Sequence, residues 1–214
     1  MKNLLTALGA ALLLTACASQ QTGTTTTQQT TQTQPAPPEP KGRRLEILFL
    51  GDNGHHQPVK MAPYAMAALG NRGINFTYTD RLEDVTSDYL AKFDGLLLYA
   101  NWDSIPQAQE QALLDYVARG KGLIAVHCAS WCFRNSEPLV RMMGGQFWRH
   151  TWDTIRPVWV KPEHPALAGT KPVSTLDETY LHQKLQPDNL VLTERLIQPD
   201  QAKDKPGQTT EPYT

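Results

Sequence analysis

The chain has none of the short glycine or histidine signatures that mark the common nucleotide and hydrolase sites. No GxGxxG follows its first apolar run, and it contains no Walker sequence, no GxSxG elbow and no HExxH. Dinucleotide, nucleotide and serine-hydrolase chemistry therefore lack the loops they need. An excess of charge of one sign is missing as well. Twenty basic side chains meet 21 acidic ones over 214 residues, and the one short basic cluster is Lys41, Arg43 and Arg44. Nucleic-acid binders carry a basic stripe or excess, so no nucleic-acid partner is expected. Cysteine is scarce, at three residues, and Cys128 and Cys132 form a CxxxC without the second pair that a structural zinc site needs. What remains, 40% hydrophobic and 8% aromatic, is the composition of one ordinary globular domain.

The N-terminus reads as something other than that domain. Lys2 precedes an apolar run from Leu4 to Leu14, too short to span a bilayer as a permanent helix, and the run ends in Leu14-Thr15-Ala16-Cys17. This resembles the lipobox of a bacterial lipoprotein signal peptide, cleaved before Cys17 so that its thiol carries lipid. From Ala18 to Pro38 the chain is mostly Thr and Gln and then proline-rich, a composition that cannot bury enough apolar surface to offset the entropy of ordering. The expected organisation is a signal peptide over 1–16, a lipidated Cys17 with a disordered tether over 17–42, and a domain over 43–214. Ala18 matches outer-membrane sorting in Gram-negative lipoproteins. The expected location is therefore the bacterial cell envelope, lipid-anchored at the outer membrane and facing the periplasm. In that oxidising compartment Cys128 and Cys132 read either as a disulfide or as two buried apolar thiols.

Beyond Arg43 the pattern alternates. Leu45 to Leu50 is a compact apolar run, the pattern of a strand buried on both faces. Met61 to Arg72 has helical composition and stops at Gly73, a suitable left-handed cap. Ile74 to Tyr78 reads as a second strand, Ser87 to Phe93 as a short helix and Gly95 to Tyr99 as a third buried strand. Pro106 and Gly120 bracket a helix, Gly122 to Val126 is a fourth strand, and Glu137 to Met143 is a short helix closed by Gly144-Gly145. Strands and helices alternating at this spacing predict right-handed βαβ units and a mainly parallel sheet, an α/β fold. After Gly145 only Thr154 to Val160 and Leu190 to Leu196 look like strands, joined by loops rich in Pro, His and Asp.

In an open parallel sheet, ligands bind beyond the carboxyl ends of the strands. His55, His56 and His127 fall on such exits, with Asp52 and Asp103 on the same rim, and all six histidines lie outside the predicted strands and helices. His127 ends a buried strand before small residues, where a tight turn would hold its ring over the crevice as general base, proton shuttle or metal ligand. Asp177 and Glu178, with His182 nearby, read either as acid/base carboxylates or metal ligands, or as solvated acids in a turn. His150 is a further candidate, whereas His164 before Pro165 reads as a turn residue. Trp102, Trp131, Trp148 and Trp152 sit in or beside these loops, and flat aromatic faces among polar groups suit a sugar ring.

Together the blocks Ile47 to His56, Phe93 to Trp102, Gly120 to His127, Gly144 to Phe147 with His150, His164-Pro165 and Asp177 to Tyr180 resemble, in order, the ThuA-like (trehalose utilisation) family. The resemblance runs from about Leu45 to the end of the chain. It implies a flavodoxin-like, class I glutamine amidotransferase-like three-layer sandwich in which His127 holds the position of the amidotransferase nucleophile. Cys128, next to it on a sharp turn, points elsewhere, so amidotransfer is not expected. Similar proteins continue past the equivalent of Thr214 through a further strand to a Gly-His pair, so the resemblance implies a C-terminally truncated sheet.

The resulting expectation is a lipoprotein acting on a disaccharide or keto-glycoside by acid/base chemistry. His127, Glu178 and Asp177 are its catalytic residues. Trp102, Trp131, Asp52, Asp103, His55 and Trp148 bind the carbohydrate, and a divalent metal, zinc or manganese, sits on His56, His127 and His150. The alternatives are a non-catalytic sugar-binding lipoprotein in the same crevice and a thiol nucleophile at Cys128.

Overall fold

A computed structural model of the protein describes residues 42–198 and 207–212. The signal-peptide, Cys17 and tether expectations lie outside the described residues. No helix among the described residues is long and apolar enough to cross a membrane.

Four short strands form the centre: β1 (Leu45–Leu50), β2 (Ile74–Thr79), β3 (Gly95–Leu98) and β4 (Gly122–Ala125). They pair in the order β2-β1-β3-β4, all parallel, which begins the flavodoxin order. Leu48 stands opposite Leu96, and Leu96 opposite Leu123. Between the strands run α1 (Pro58–Gly70), α2 (Ser87–Leu90) and α3 (Gln107–Ala118), and α4 (Glu137–Met142) follows β4. Side chains alternate across a strand, so Leu48, Leu50, Leu96 and Leu98 face Ala112, Leu113 and Tyr116 of α3 and Leu139 of α4 in one buried cluster. Phe49 points to the opposite face and lines a hollow there with Met61 and Ala65 of α1. Helices thus lie on both faces, the three layers expected.

Local chemistry sets the limits of these elements. α1 begins at Pro58, three residues before the predicted start, because proline's fixed φ and missing N–H suit the first turn. Gly73, at φ +86°, turns the chain into β2. At Gly51 a Cβ would lie 2.6 Å from the Tyr78 hydroxyl and 2.7 Å from Pro58 Cβ, so only glycine lets the β1 exit loop pass.

The second half departs from expectation. The region predicted as loop holds two long strands, β5 (Gln146–Ile155) and β7 (Thr175–Gln183), paired antiparallel. The single strand predicted over Thr154 to Val160 is instead the end of β5 and a separate β6 (Val158–Trp159), parted at Arg156-Pro157, where proline offers no ladder donor. β8 (Thr193–Leu196) starts three residues later than predicted and pairs antiparallel with both β6 and β9 (Thr210–Pro212). His150 and His182 therefore sit inside strands, contrary to the reading that placed all six histidines in loops.

Candidate active site

His127 is built into the exit of β4. Its backbone adopts φ +51° and opens a 3-10 turn over His127–Trp131. A non-glycine residue in the left-handed region is strained, and such strain clusters where a side chain must be aimed. The imidazole is sandwiched. Tyr180 stacks on one side, with centroids 4.8 Å apart and planes at 22°, and His56 meets it edge-on at 5.0 Å. His127 Nε2 lies 3.2 Å from Glu178 Oε2, and Tyr180 Oη donates to the same oxygen at 3.1 Å. The other carboxylate oxygen of Glu178 faces His150 Nδ1 at 3.5 Å.

Two halves of the fold meet here. His55 and His56 come from the β1 loop, His127 from the β4 turn, and Glu178 and Tyr180 from one face of β7 at a spacing of two. The antiparallel register sets His150 of β5 opposite Tyr180. Asp52 joins the parallel-half loops from below. Its carboxylate accepts Gly54 N at 2.8 Å and also the backbone N–H of Asn101, which ties the β1 and β3 exits together.

A cavity of about 190 Å³ opens above this cluster, walled by His55, His56 and Asn101 on one side and by Trp131, Phe147, His150, Glu178 and Tyr180 on the other. The Asn101 Oδ1 atom is buried with no hydrogen-bond partner among the described residues, an arrangement that leaves an acceptor for a ligand hydroxyl. A shallower hollow of about 420 Å³ reaches His127 and Asp177 from the α1 face of the sheet, floored by Phe49, Leu97, Tyr99 and Val126.

The electrostatics favour neutral imidazoles. Burial lowers the His127 pKa, and the Glu178 and Asp177 carboxylates oppose that only in part. His56 is lowered by burial and then by the neighbouring His55 and His127. Burial beside Glu178 pushes the Tyr180 phenol well above its ordinary value, so it stays protonated. Three ligand atoms, from His56, His127 and Glu178, lie within 4.8 Å of one another. A tetrahedral set at about 2.1 Å from an ion has its donors about 3.4 Å apart, so small rotamer shifts would close this group around a cation.

The remaining sequence candidates separate. Glu178 is central, but Asp177 points away from the main cavity and accepts the Glu178 backbone N–H at 2.8 Å. Of the expected metal set His56, His127 and His150, the first two converge with Glu178, while His150 stands on the far oxygen of that carboxylate. Trp131 lines the cavity, its indole N–H donating to Asp103 at 2.5 Å, so Asp103 orients Trp131 and does not itself wall the cavity. Trp102 packs on the core, donates to Gly51 O at 3.2 Å and is not among the residues that wall the cavity. Trp148 sits at the β5 bulge under the Arg149 guanidinium, outside the cavity. Cys128 and Cys132 are free and buried, and burial pushes the Cys128 thiol up to about 12, which removes the thiolate that a nucleophile requires. His164 accepts the Ala166 N–H and opens a short turn, the role expected of it. Tyr180 and Asn101 were missed. Tyr180 had one readable signal, the spacing of two that puts it on the Glu178 face of a strand.

The ThuA family, described as trehalose utilisation, matches residues 46–214. A ThuA-like protein from Bacteroides uniformis ATCC 8492 superposes with a TM-score of 0.60 at 18% identity, over 85% of this chain and 78% of that one. A second, from Parabacteroides merdae ATCC 43184, gives 0.57 at 16% identity, over 79% and 73%. No curated protein matches the chain. At these identities the structures establish the shared fold, and the family match over most of the sequence establishes descent: the chain belongs to the ThuA family.

Proposed function

We propose that this ThuA domain performs acid/base chemistry on a carbohydrate, a disaccharide or keto-glycoside, with His127 and Glu178 as the reacting pair. The observation that carries the reading is the 3.2 Å contact between His127 Nε2 and Glu178 Oε2 beside a cavity. With the Nε2 proton directed at the carboxylate, Nδ1 is the free base, and Glu178 stabilises the imidazolium once a proton is taken. A lowered imidazole pKa keeps that base available at neutral pH. Tyr180 supplies a protonated hydroxyl in the same cluster.

The cavity supports the substrate class. At about 190 Å³ it is below the 300 Å³ or more of a drug-sized pocket, so it takes one ring. Trp131 offers an aromatic face, and His55 and Asn101 offer hydrogen-bonding groups.

A divalent cation, zinc or manganese, is the second reading of the same cluster, favoured by the convergence of His56, His127 and Glu178. Bound there, such an ion would supply Lewis-acid polarisation of a carbonyl oxygen. We further propose lipid attachment at Cys17 and a periplasm-facing envelope location, supported by the sequence Leu14-Thr15-Ala16-Cys17 alone.

Trehalose and 3-keto-trehalose, incubated with purified protein with and without chelator and followed by product analysis and calorimetry, test the assignment. Turnover lost in His127→Asn is the expected result. Binding heat without any turnover would replace the enzyme by a sugar-binding protein, and undiminished turnover by metal-free protein would remove the cation.

A further inference from the structure

Behind Tyr180 lies a buried polar cluster that the chemistry above does not use. Arg195 on β8 and Glu211 on β9 are 3% and 0% exposed, and the antiparallel register places them opposite each other. Arg195 Nη2 donates to the Tyr180 carbonyl at 2.5 Å and Nη1 to the Leu196 carbonyl at 3.1 Å. Glu211 Oε1 accepts the His182 backbone N–H at 2.7 Å and meets His182 Nδ1 at 3.2 Å, while Oε2 accepts from Gln208 at 2.6 Å. The two charges thus grip β7 at residues 180 and 182, from strands that are not in its sheet.

The grip is placed where it matters. Tyr180 has its carbonyl on Arg195, its hydroxyl on Glu178 and its ring on His127. A water-sized gap of about 20 Å³ is lined by Arg195, Pro212, His127, Glu178 and Tyr180, so a small shift of the strand has somewhere to go. Burying a guanidinium and a carboxylate is unfavourable unless both are well bonded, and a packed apolar pair would hold the strands as firmly. The guanidinium adds direction: its planar donors fix the Tyr180 and Leu196 carbonyls relative to each other.

We infer that Arg195, set opposite Glu211 on the β8–β9 ladder, is a positioning residue that acts through Tyr180 to keep the Glu178 carboxylate against His127 Nε2. The inference rests on the His127–Glu178 contact and not on any substrate. Removing the grip lets β7 slip towards the gap, Tyr180 lose its alignment, and the carboxylate move off the imidazole.

The test reads the imidazole directly. Chelator-treated protein labelled with 15N-histidine is studied by NMR at pH 8, where the nitrogen spectrum reports which ring nitrogen of His127 carries the proton; His127→Asn assigns the signal. Wild-type protein should show the Nε2–H form. Tyr180→Phe should shift it towards a mixture of tautomers, and Arg195→Lys and the milder Glu211→Gln should do the same while melting cooperatively. A wild-type His127 spectrum in folded Arg195→Lys or Glu211→Gln would overturn the inference. If Arg195→Lys fails to fold, Glu211→Gln decides alone. Absence of sugar turnover in wild-type protein would defeat the functional assignment while leaving this tautomer result intact.

Discussion

The parallel half of the domain, residues 45–143, and the antiparallel half, residues 146–198 and 207–212, hold their contributions to the site by different means. In the first, short parallel strands end together, and the imidazoles of His55, His56 and His127 ride on the turns that leave them. In the second, the working groups lie inside a strand, Glu178 and Tyr180 on one face of β7, and are aimed by cross-strand partners and by Arg195. Topology alone gathers the first set. The second set depends on register, since a slip of one residue would turn Glu178 to the opposite face.

The comparison breaks most sharply if either half proves dispensable. His127→Asn keeps a residue that tolerates the left-handed backbone, and Glu178→Gln keeps shape while removing charge. Each should lower turnover of 3-keto-trehalose by about 10²- to 10⁴-fold, the usual contribution of a positioned acid or base, with little change in melting temperature. Steady-state kinetics beside thermal melts check this. An active Glu178→Gln would confine the chemistry to the parallel half.

Stability should divide the other way. Leu98 of β3 is 1% exposed in the main cluster, so Leu98→Ala should cost about 2–5 kcal/mol in urea unfolding. Leu176 of β7 is 69% exposed, and Leu176→Ala should change stability by less than about 0.5 kcal/mol. Similar losses at both would mean that the halves are packed alike.

The same contrast governed how much could be read in advance. LEILFL, GLLLY and GLIAV stand out as apolar runs, interrupted only at Glu46, and each was placed to within a residue or so, although the edge strand β4 leaves Ile124 54% exposed and is not covered on both faces as its composition implied. Their exits then pointed to His55, His56 and His127. TLDETYLHQ gives no such signal: Leu176 is exposed, Glu178 is inside, and buried Tyr180, Leu181 and His182 are consecutive, so neither alternation nor a run appears. The acids were found by type, as carboxylates near a histidine, but not as strand residues, and Tyr180 went unassigned although it stacks on His127. The tryptophans mislead for a related reason. An indole in a loop can face a cavity, as Trp131 does, or fill the core, as Trp102 does, and only tertiary packing distinguishes them.

Two of those tryptophans sharpen the comparison at smaller scale. Trp131, on the parallel-half turn, lines the cavity between Phe147 and the Arg134 guanidinium, whereas Trp148 lies outside it. Trp131→Ala should raise KM for the sugar by roughly 2- to 10-fold, the value of about 0.5–1.5 kcal/mol of aromatic contact, with kcat preserved. Trp148→Ala should leave KM unchanged. Equal effects would place the sugar along β5.

The smallest expected effect lies at the opposite edge of the parallel sheet from the site. Asp94, just before β3, pairs with Arg43 at 2.6 Å and accepts the Glu46 N–H at 2.8 Å, tying the starts of β1 and β3. The Arg43 hydrogen bond, helped by that N–H, lowers the Asp94 pKa from 3.8 to about 2. A carboxyl that is more acidic folded than unfolded stabilises the fold fully above the unfolded value and loses that contribution as pH falls from 3.8 towards 2. Arg43 is half exposed, so solvent screening limits the contribution to at most about 1 kcal/mol. Asp94→Asn should therefore be less stable than wild type at pH 6 by that amount, and the two should converge near pH 2, as followed by urea midpoints across the range. A gap that persists at pH 2 would mean that Asp94 acts through packing and its Glu46 bond, making the lower edge of the parallel half as dependent on neutral hydrogen bonds as the β5–β7 ladder is.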